Sequence, residues 1–304
     1  MKAIDLFAGA GGFSTGAHAA GCEIVWAANH WQDAVQTHAA NHPGALHVCQ
    51  DLHQANWDEV PAHDLLLASP CCQGHSKARG KSHGNPQHDS SRSTAWAVVS
   101  AAEHHRPAVA IIENVPEFLQ WSLYPAWRMA MEALGYALTP HVVDAANHGV
   151  PQNRERMFIV ATRSRNPLTL RLPQREHVPA EAIIDFAAGR WSQIERPGRA
   201  SNTLARIANG RAVHGERFLT AYYGNERGGR SLQRPIGTIT THDRWAIVDG
   251  DRMRMLSAQE CRRAMGFPEG YILPPQHRLA VHMLGNAVCP PVVTDLINEI
   301  RHVA

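Results

Sequence analysis

Lys2-Ala-Ile-Asp-Leu-Phe-Ala-Gly-Ala-Gly-Gly12 is the stretch on which the reading of this chain turns. Residues 2–8 are mostly apolar and read as a buried strand. Four residues, three of them glycine, then make a turn, and a helical pattern follows to about Ala20. Strand, glycine turn and helix open an α/β fold, and a turn without side chains lets a ligand approach the backbone at a helix N-terminus. The run is neither GxGxxG nor GxxxxGK[ST], so phosphate binding is not favoured.

Outward from that run the alternation continues. Glu23–Ala27 reads as a second strand with an amphipathic helix to about Ala40. His47–Asp51, Asp64–Ser69 and Val109–Glu113 read as the third to fifth strands, and Ala137–Val143 and Met157–Ala161 complete a set of seven. Continuous apolar runs separated by helical stretches predict a mostly parallel sheet covered on both faces. After about residue 186 Gly, Arg, Asn and Ser dominate and the apolar periodicity fades, which reads as a small irregular domain. Helical patterning returns at Ser257–Met265 and about Pro290–His302.

Composition narrows the class. The 304 residues are 44% hydrophobic and 18% charged, enough apolar material for a core and too much for a disordered chain. No apolar run comes near the roughly 20 residues of a membrane span, and no signal or transit segment is seen, so a cytoplasmic, membrane-free protein is expected. The six cysteines at 22, 49, 71, 72, 261 and 289 form no CxxC pair, against a zinc ribbon or a disulfide scaffold. The 20 histidines are scattered, with no HExxH, so no metal is expected.

Two further motifs carry chemistry. Ser69-Pro-Cys-Cys-Gln-Gly-His-Ser76 follows the fourth strand, and Glu113-Asn114-Val115 ends the fifth. In an open parallel sheet, ligands bind beyond the C-terminal ends of the strands. A thiol and a carboxylic acid therefore arrive at one edge, a pair suited to adding to an activated double bond while protonating the far side of the ring.

Six motifs in order then resemble the DNA (cytosine-5-)methyltransferases that use S-adenosylmethionine. They are Asp5–Gly12, Pro70-Cys-Cys-Gln73, Glu113-Asn-Val115, Gln152-Asn-Arg-Glu-Arg156, Arg254–Pro268 and Gly285-Asn-Ala-Val288. They cover nearly the whole chain in the family's unpermuted order. The resemblance implies a Rossmann-like class I methyltransferase fold, with 1–185 and 280–304 forming the catalytic, cofactor-binding domain and 186–279 a target-recognition domain and hinge.

By the same resemblance Cys72 is the nucleophile. Cys71 stands where many members have a second proline, and Gln73-Gly74 fixes the register. Glu113 assists at N3 of the base, and Arg154 and Arg156, on alternate positions of a strand-like segment, complete the catalytic set, Arg156 matching the position that contacts the target base. The cofactor set carries over as Phe7, Gly9, Gly11, Trp31, Asp51, Leu52, Asn286 and Val288. His30 stands where the family commonly has an acid for the ribose hydroxyls. A neutral imidazole can bond a hydroxyl, whereas a cationic one would suit a modified S-adenosylmethionine with an added negative group.

The polar stretch from Gly74 to Ser93 reads as a lid beside Cys72, with Ser76, Lys77, Arg79 and Lys81 as phosphate contacts. Double-stranded DNA is the expected partner, met by a monomer, with a cognate restriction endonuclease as a further partner. The target cytosine must be flipped out to reach Cys72. Sequence would be read from the second domain, where Arg206, Arg211, Arg227 and Arg230 are candidate contacts. RNA cytosine methylation is the alternative, disfavoured because the RNA-directed branch lacks a conventional recognition domain. A non-catalytic relative is disfavoured by the intact Cys72, Glu113, Arg154 and Arg156.

The net charge of +2 hides an asymmetry. Residues 151–235 carry 15 Arg and no Lys against 7 acidic residues, a net of +8. The remainder carries 14 basic and 20 acidic residues, a net of −6. A basic stretch joined to an acidic remainder is the distribution that phosphate binding needs.

Overall fold

The computed structural model describes residues 1–71, 94–164, 166–223 and 226–303. Seven strands form one sheet: β1 (Lys2–Leu6), β2 (Glu23–Asn29), β3 (Leu46–Cys49), β4 (Leu65–Ala68), β5 (Val109–Asn114), β6 (Ala137–Asp144) and β7 (Glu155–Thr162). Their order is β3-β2-β1-β4-β5-β7-β6. The first five run parallel, and β7 lies antiparallel to both β5 and β6. β4 and β5 are buried at every residue, as strands covered on both faces must be.

The covering helices are α1 (Gly12–Ala19), α2 (Gln32–Asn41), α3 (Ala95–His105) and α4 (Tyr124–Ala133). Trp127 of α4 is fully buried against Phe118, and its indole N–H donates to the Ala95 carbonyl of α3 at 2.9 Å. Burying a tryptophan this way satisfies its one polar atom.

The chain divides into two compact units. One comprises 1–144, 155–174 and 288–304, and the other 145–154 and 175–287. The second unit carries more regular structure than its composition suggested. It has a five-stranded antiparallel sheet in the order β10-β9-β11-β12-β8, from β8 (Ser192–Gln193), β9 (Arg217–Ala221), β10 (Gly229–Arg230), β11 (Trp245–Asp249) and β12 (Arg252–Met255). A 14-residue helix, α5 (Ser201–His214), packs on it around Ile207, Phe218 and Val248. Gly210 is required there, because a Cβ would lie 2.3 Å from the Phe218 ring.

Two further helices, α6 (Ala258–Ala264) and α7 (His277–Asn286), follow in the second unit, and α8 (Pro290–Val303) closes the chain in the first. Ser257 and Glu260 cap α6 reciprocally, and the buried Glu260 also pairs with the buried Arg254 at 2.7 Å. Within 277–303 an 18-residue window is apolar enough by composition to match a span. That window is 78% buried, and the stretch is divided into α7 and α8, as core helices are.

Candidate active site

Four of the five parallel strands deliver most of the predicted cofactor residues and the acid to one edge of the first unit. β3 leads to Asp51 and Leu52, β2 to His30 and Trp31, β1 to Phe7, Gly9 and Gly11, and β5 to Glu113. β4, between β1 and β5, leads to Pro70 and Cys71. Cys72, Ser76, Lys77, Arg79 and Lys81 lie outside the described residues.

The chain on either side of that segment is held at the same edge. The buried Asn114 side chain donates to the Pro70 carbonyl at 3.1 Å, and the Cys71 amide donates to Thr94 Oγ1 at 3.0 Å. Asn114 was legible only as part of a motif. Its role in tying β5 to the residue two positions before Cys72 needed the structure.

Glu113 is nearly buried at the end of β5, and Arg156 Nε on β7 lies 3.2 Å from its Oε1. The antiparallel β5–β7 pairing sets Glu113 opposite Phe158, two residues from Arg156. Arg154 is differently placed. β7 begins at Glu155, so the two-residue alternation does not reach back to Arg154, which belongs to the second unit. Its buried guanidinium donates to the carbonyls of Ile239, Gly285 and Ala287 at 2.9–3.0 Å. Gln152, also buried, donates to the Ala264 carbonyl and accepts from the Ile239 amide.

The glycine turn is built for close approach. Gly9 and Gly11 adopt φ of +53° and +83°, and Phe7 between strand and turn is also left-handed at +61°, a conformation costly for a residue with a side chain. A Cβ on Gly12 would lie 2.1 Å from the Val288 carbonyl oxygen, so the backbone at Val288 packs directly on the start of α1. Trp31 is partly exposed, with its indole N–H on Asp33, and Asn29 accepts from the Trp31 amide. His30 is exposed. Asp51 caps the short 3-10 turn that begins at the buried Leu52. Asn286 ends α7 in the second unit.

A nucleoside with a charged side arm fits this edge. The glycine turn follows β1, Trp31 follows β2 and Asp51 follows β3 at the same sheet edge.

In the second unit the candidate recognition arginines divide. Arg206 stacks on Tyr222 and donates to the Glu226 carbonyl. Arg211 bonds Gly250 and Asp251, and Arg230 pairs with Glu226 and lies over Trp245. Arg227 is exposed with no side-chain partner among the described residues.

The family model for the C-5 cytosine-specific DNA methylases matches residues 1–187 and 187–302. Type II methyltransferase M.HhaI of Haemophilus parahaemolyticus is 25% identical, over 100% of this chain and 93% of its own length. Type II methyltransferase M.BsuFI of Bacillus subtilis is 27% identical over 98% of this chain and 72% of its own. In fold, the methyltransferase EhMeth of Entamoeba histolytica superposes with a TM-score of 0.70 at 15% identity over 99% of this chain and 98% of its own. DNMT2 of Spodoptera frugiperda superposes at 0.69 and 16% identity, over 99% of each chain. The ordered sheet edge, its acid–arginine pair and a family match over nearly all of the sequence agree: the chain belongs to the C-5 cytosine-specific DNA methylases, the DNA (cytosine-5-)methyltransferases.

Proposed function

We propose that this chain transfers a methyl group from S-adenosylmethionine to C5 of a cytosine flipped out of duplex DNA, through a covalent bond between Cys72 Sγ and C6. The Glu113–Arg156 pair carries the reading. It stands at the end of β5, beside the Pro70–Cys71 segment that Asn114 ties to the same strand.

Cytosine C5 is a poor nucleophile. Attack by the Cys72 thiolate forms the S–C6 bond and sends the C5–C6 electron pair to C5. Glu113 protonates N3 as negative charge develops, and Arg156 balances the carboxylate once its proton is given. S-adenosylmethionine supplies a methyl carbon on a sulfonium sulfur, which C5 can take. Loss of the C5 proton to a base then restores the double bond and breaks the S–C6 bond, returning Cys72 as thiolate, and N3 gives its proton back to Glu113.

Phe7, Gly9, Gly11, Trp31, Asp51, Leu52, Asn286 and Val288 would hold the cofactor, with His30 hydrogen-bonded to a ribose hydroxyl. Mass analysis of copurified ligand distinguishes S-adenosylmethionine from an acidic derivative. Arg154 acts by holding the 285–287 backbone. Ser76, Lys77, Arg79 and Lys81 would contact phosphates. Arg227 reads or clamps DNA, while Arg206, Arg211 and Arg230 support the surface around it. The same reading includes a monomer at work and a cognate restriction endonuclease.

The test is duplex DNA with 5-fluorocytosine replacing cytosine. Fluorine at C5 blocks the final elimination, so the wild type forms an adduct that survives denaturation and requires S-adenosylmethionine. Cys72→Ser forms none and Glu113→Gln forms it more slowly. Equal adduct with Cys72→Ser would overturn the mechanism.

A further inference from the structure

One peptide bond in the first unit is gripped by side chains at both of its polar ends. It joins Pro70 to Cys71, and Thr94, which belongs to none of the sequence motifs, supplies one of the grips. The Pro70 carbonyl accepts from the buried Asn114 side chain at 3.1 Å. The Cys71 amide donates to Thr94 Oγ1 at 3.0 Å, across 23 residues of sequence. A trans peptide is planar, with its C=O and N–H on opposite sides, so the two bonds hold opposite edges of one plane. The plane cannot turn without breaking one of them.

The chain leading into that plane is fixed as well. The Ser69 amide donates to the Leu6 carbonyl at 3.2 Å and the Ser69 hydroxyl to the Phe7 carbonyl at 3.4 Å, both where β1 ends. Pro70 is buried, and its ring holds φ near one value. The order of β4 is thereby carried past the end of the strand as far as Cys71.

Thr94 stands at the N-cap of α3, where a threonine hydroxyl ordinarily accepts from an amide of the first helical turn. It makes no such bond and accepts from Cys71 instead. The helix start is held by other means: Ala95 is fully buried, and its carbonyl accepts from the Trp127 indole at 2.9 Å. Trp127 packs on Phe118, in the 3-10 turn that follows Asn114 and Val115. Both grips on the Pro70–Cys71 plane therefore lead back to β5 and the turn after it, and β5 is the strand that carries Glu113.

We infer that Thr94 is a positioning residue for the methyl transfer: with Asn114 it fixes the peptide plane directly before Cys72 in register with Glu113. This rests on the reading of Cys72 as the nucleophile. The sulfur must meet C6 while the carboxyl meets N3 of the same ring, so their separation matters, and misplacement by about 1 Å can cost on the order of a hundredfold in rate. Removing the Thr94 acceptor releases one edge of the plane and leaves the Asn114 grip alone.

Three variants test this. Thr94→Val keeps the branched shape without the acceptor, Thr94→Ala removes both, and Thr94→Ser keeps the acceptor. With labelled S-adenosylmethionine and unmethylated genomic DNA, Thr94→Val and Thr94→Ala should each lose at least about tenfold in kcat, with KM for both substrates near wild type. Thr94→Ser should stay near wild type in both. All three should melt like the wild type, because the hydroxyl caps nothing in α3, and Thr94→Ala carries the reading if Thr94→Val does not fold. Wild-type kcat in either acceptor-free variant that folds, an equal loss in Thr94→Ser, or a loss confined to KM overturns the positioning role.

The 5-fluorocytosine duplex, at saturating DNA and cofactor, separates this from the nucleophile reading. Adduct that forms equally with Cys72→Ser refutes that reading itself. Adduct that requires Cys72 yet forms at the wild-type rate in Thr94→Ala refutes the positioning role alone.

Discussion

Gly12→Ala is the sharpest steric perturbation the fold offers at the candidate cofactor edge. The added Cβ would lie 2.1 Å from the Val288 carbonyl oxygen, 2.9 Å from its carbon and 3.0 Å from its nitrogen. All three are backbone atoms, so no rotamer change relieves the clash. An ordinary carbon–oxygen approach is about 3.3 Å or more, which asks the chain at Val288 to retreat by roughly 1.2 Å. α8 resists that retreat: Thr294 donates to the Gly16 carbonyl at 2.9 Å, and Gly16 is itself packed on Pro290 with no room for a Cβ. Overpacking of this kind costs about 1–3 kcal/mol, or roughly 2–4 °C of Tm per kcal/mol in a chain of this size class.

A thermal melt with calorimetric titration of S-adenosylmethionine reads both consequences. Gly12→Ala should melt several degrees low and bind the cofactor more weakly. Gly44→Ala, whose Cβ would meet nothing within 4 Å, should match the wild type. A Gly12→Ala protein that melts and binds like the wild type refutes the claim that the Val288 backbone seats the glycine turn.

Glu260→Gln leaves Arg254 buried without its charge partner and should cost the protein about 3–5 kcal/mol in denaturant unfolding. Burial pushes the Glu260 carboxyl up, but the Arg254 guanidinium and the Ser257 and Asp185 amides hold it below the usual glutamate value. Its contribution is therefore complete above the unfolded value of about 4.3 and is lost as pH falls through the lower folded value. Acid unfolding of the wild type should show that loss, and Glu260→Gln should lack it. Arg227→Ala should weaken duplex binding and lower the slope of log K against log salt by about one, read by fluorescence anisotropy. Arg206→Ala should instead lower the melting temperature, having lost its Tyr222 and Glu226 contacts.

The first unit was legible because burial writes itself into sequence. β4 is apolar throughout and β5 begins with four apolar residues, and the boundaries of β1, β4 and β5 fall within a residue or two of those read from the sequence. The antiparallel direction of β7 was not legible, since a strand buried on both faces has the same composition whichever way it runs. α5 was missed because only Thr203, Ile207 and Gly210 of its 14 residues are buried, too thin a stripe to show above the surrounding Arg and Asn. The histidines looked scattered because their meeting is tertiary. His38 and His42 share a helix face, but His47 joins them only through the β2–β3 pairing. Arg154 and Arg156 looked equivalent by spacing and differ because the strand begins between them.

Bisulfite sequencing of DNA from a host expressing this chain tests the central claim most directly. The account predicts protected cytosines at one recurring sequence, present with the wild type and absent with Cys72→Ser. Unprotected DNA from cells containing folded, cofactor-binding wild-type protein, or equal protection with Cys72→Ser, would contradict it.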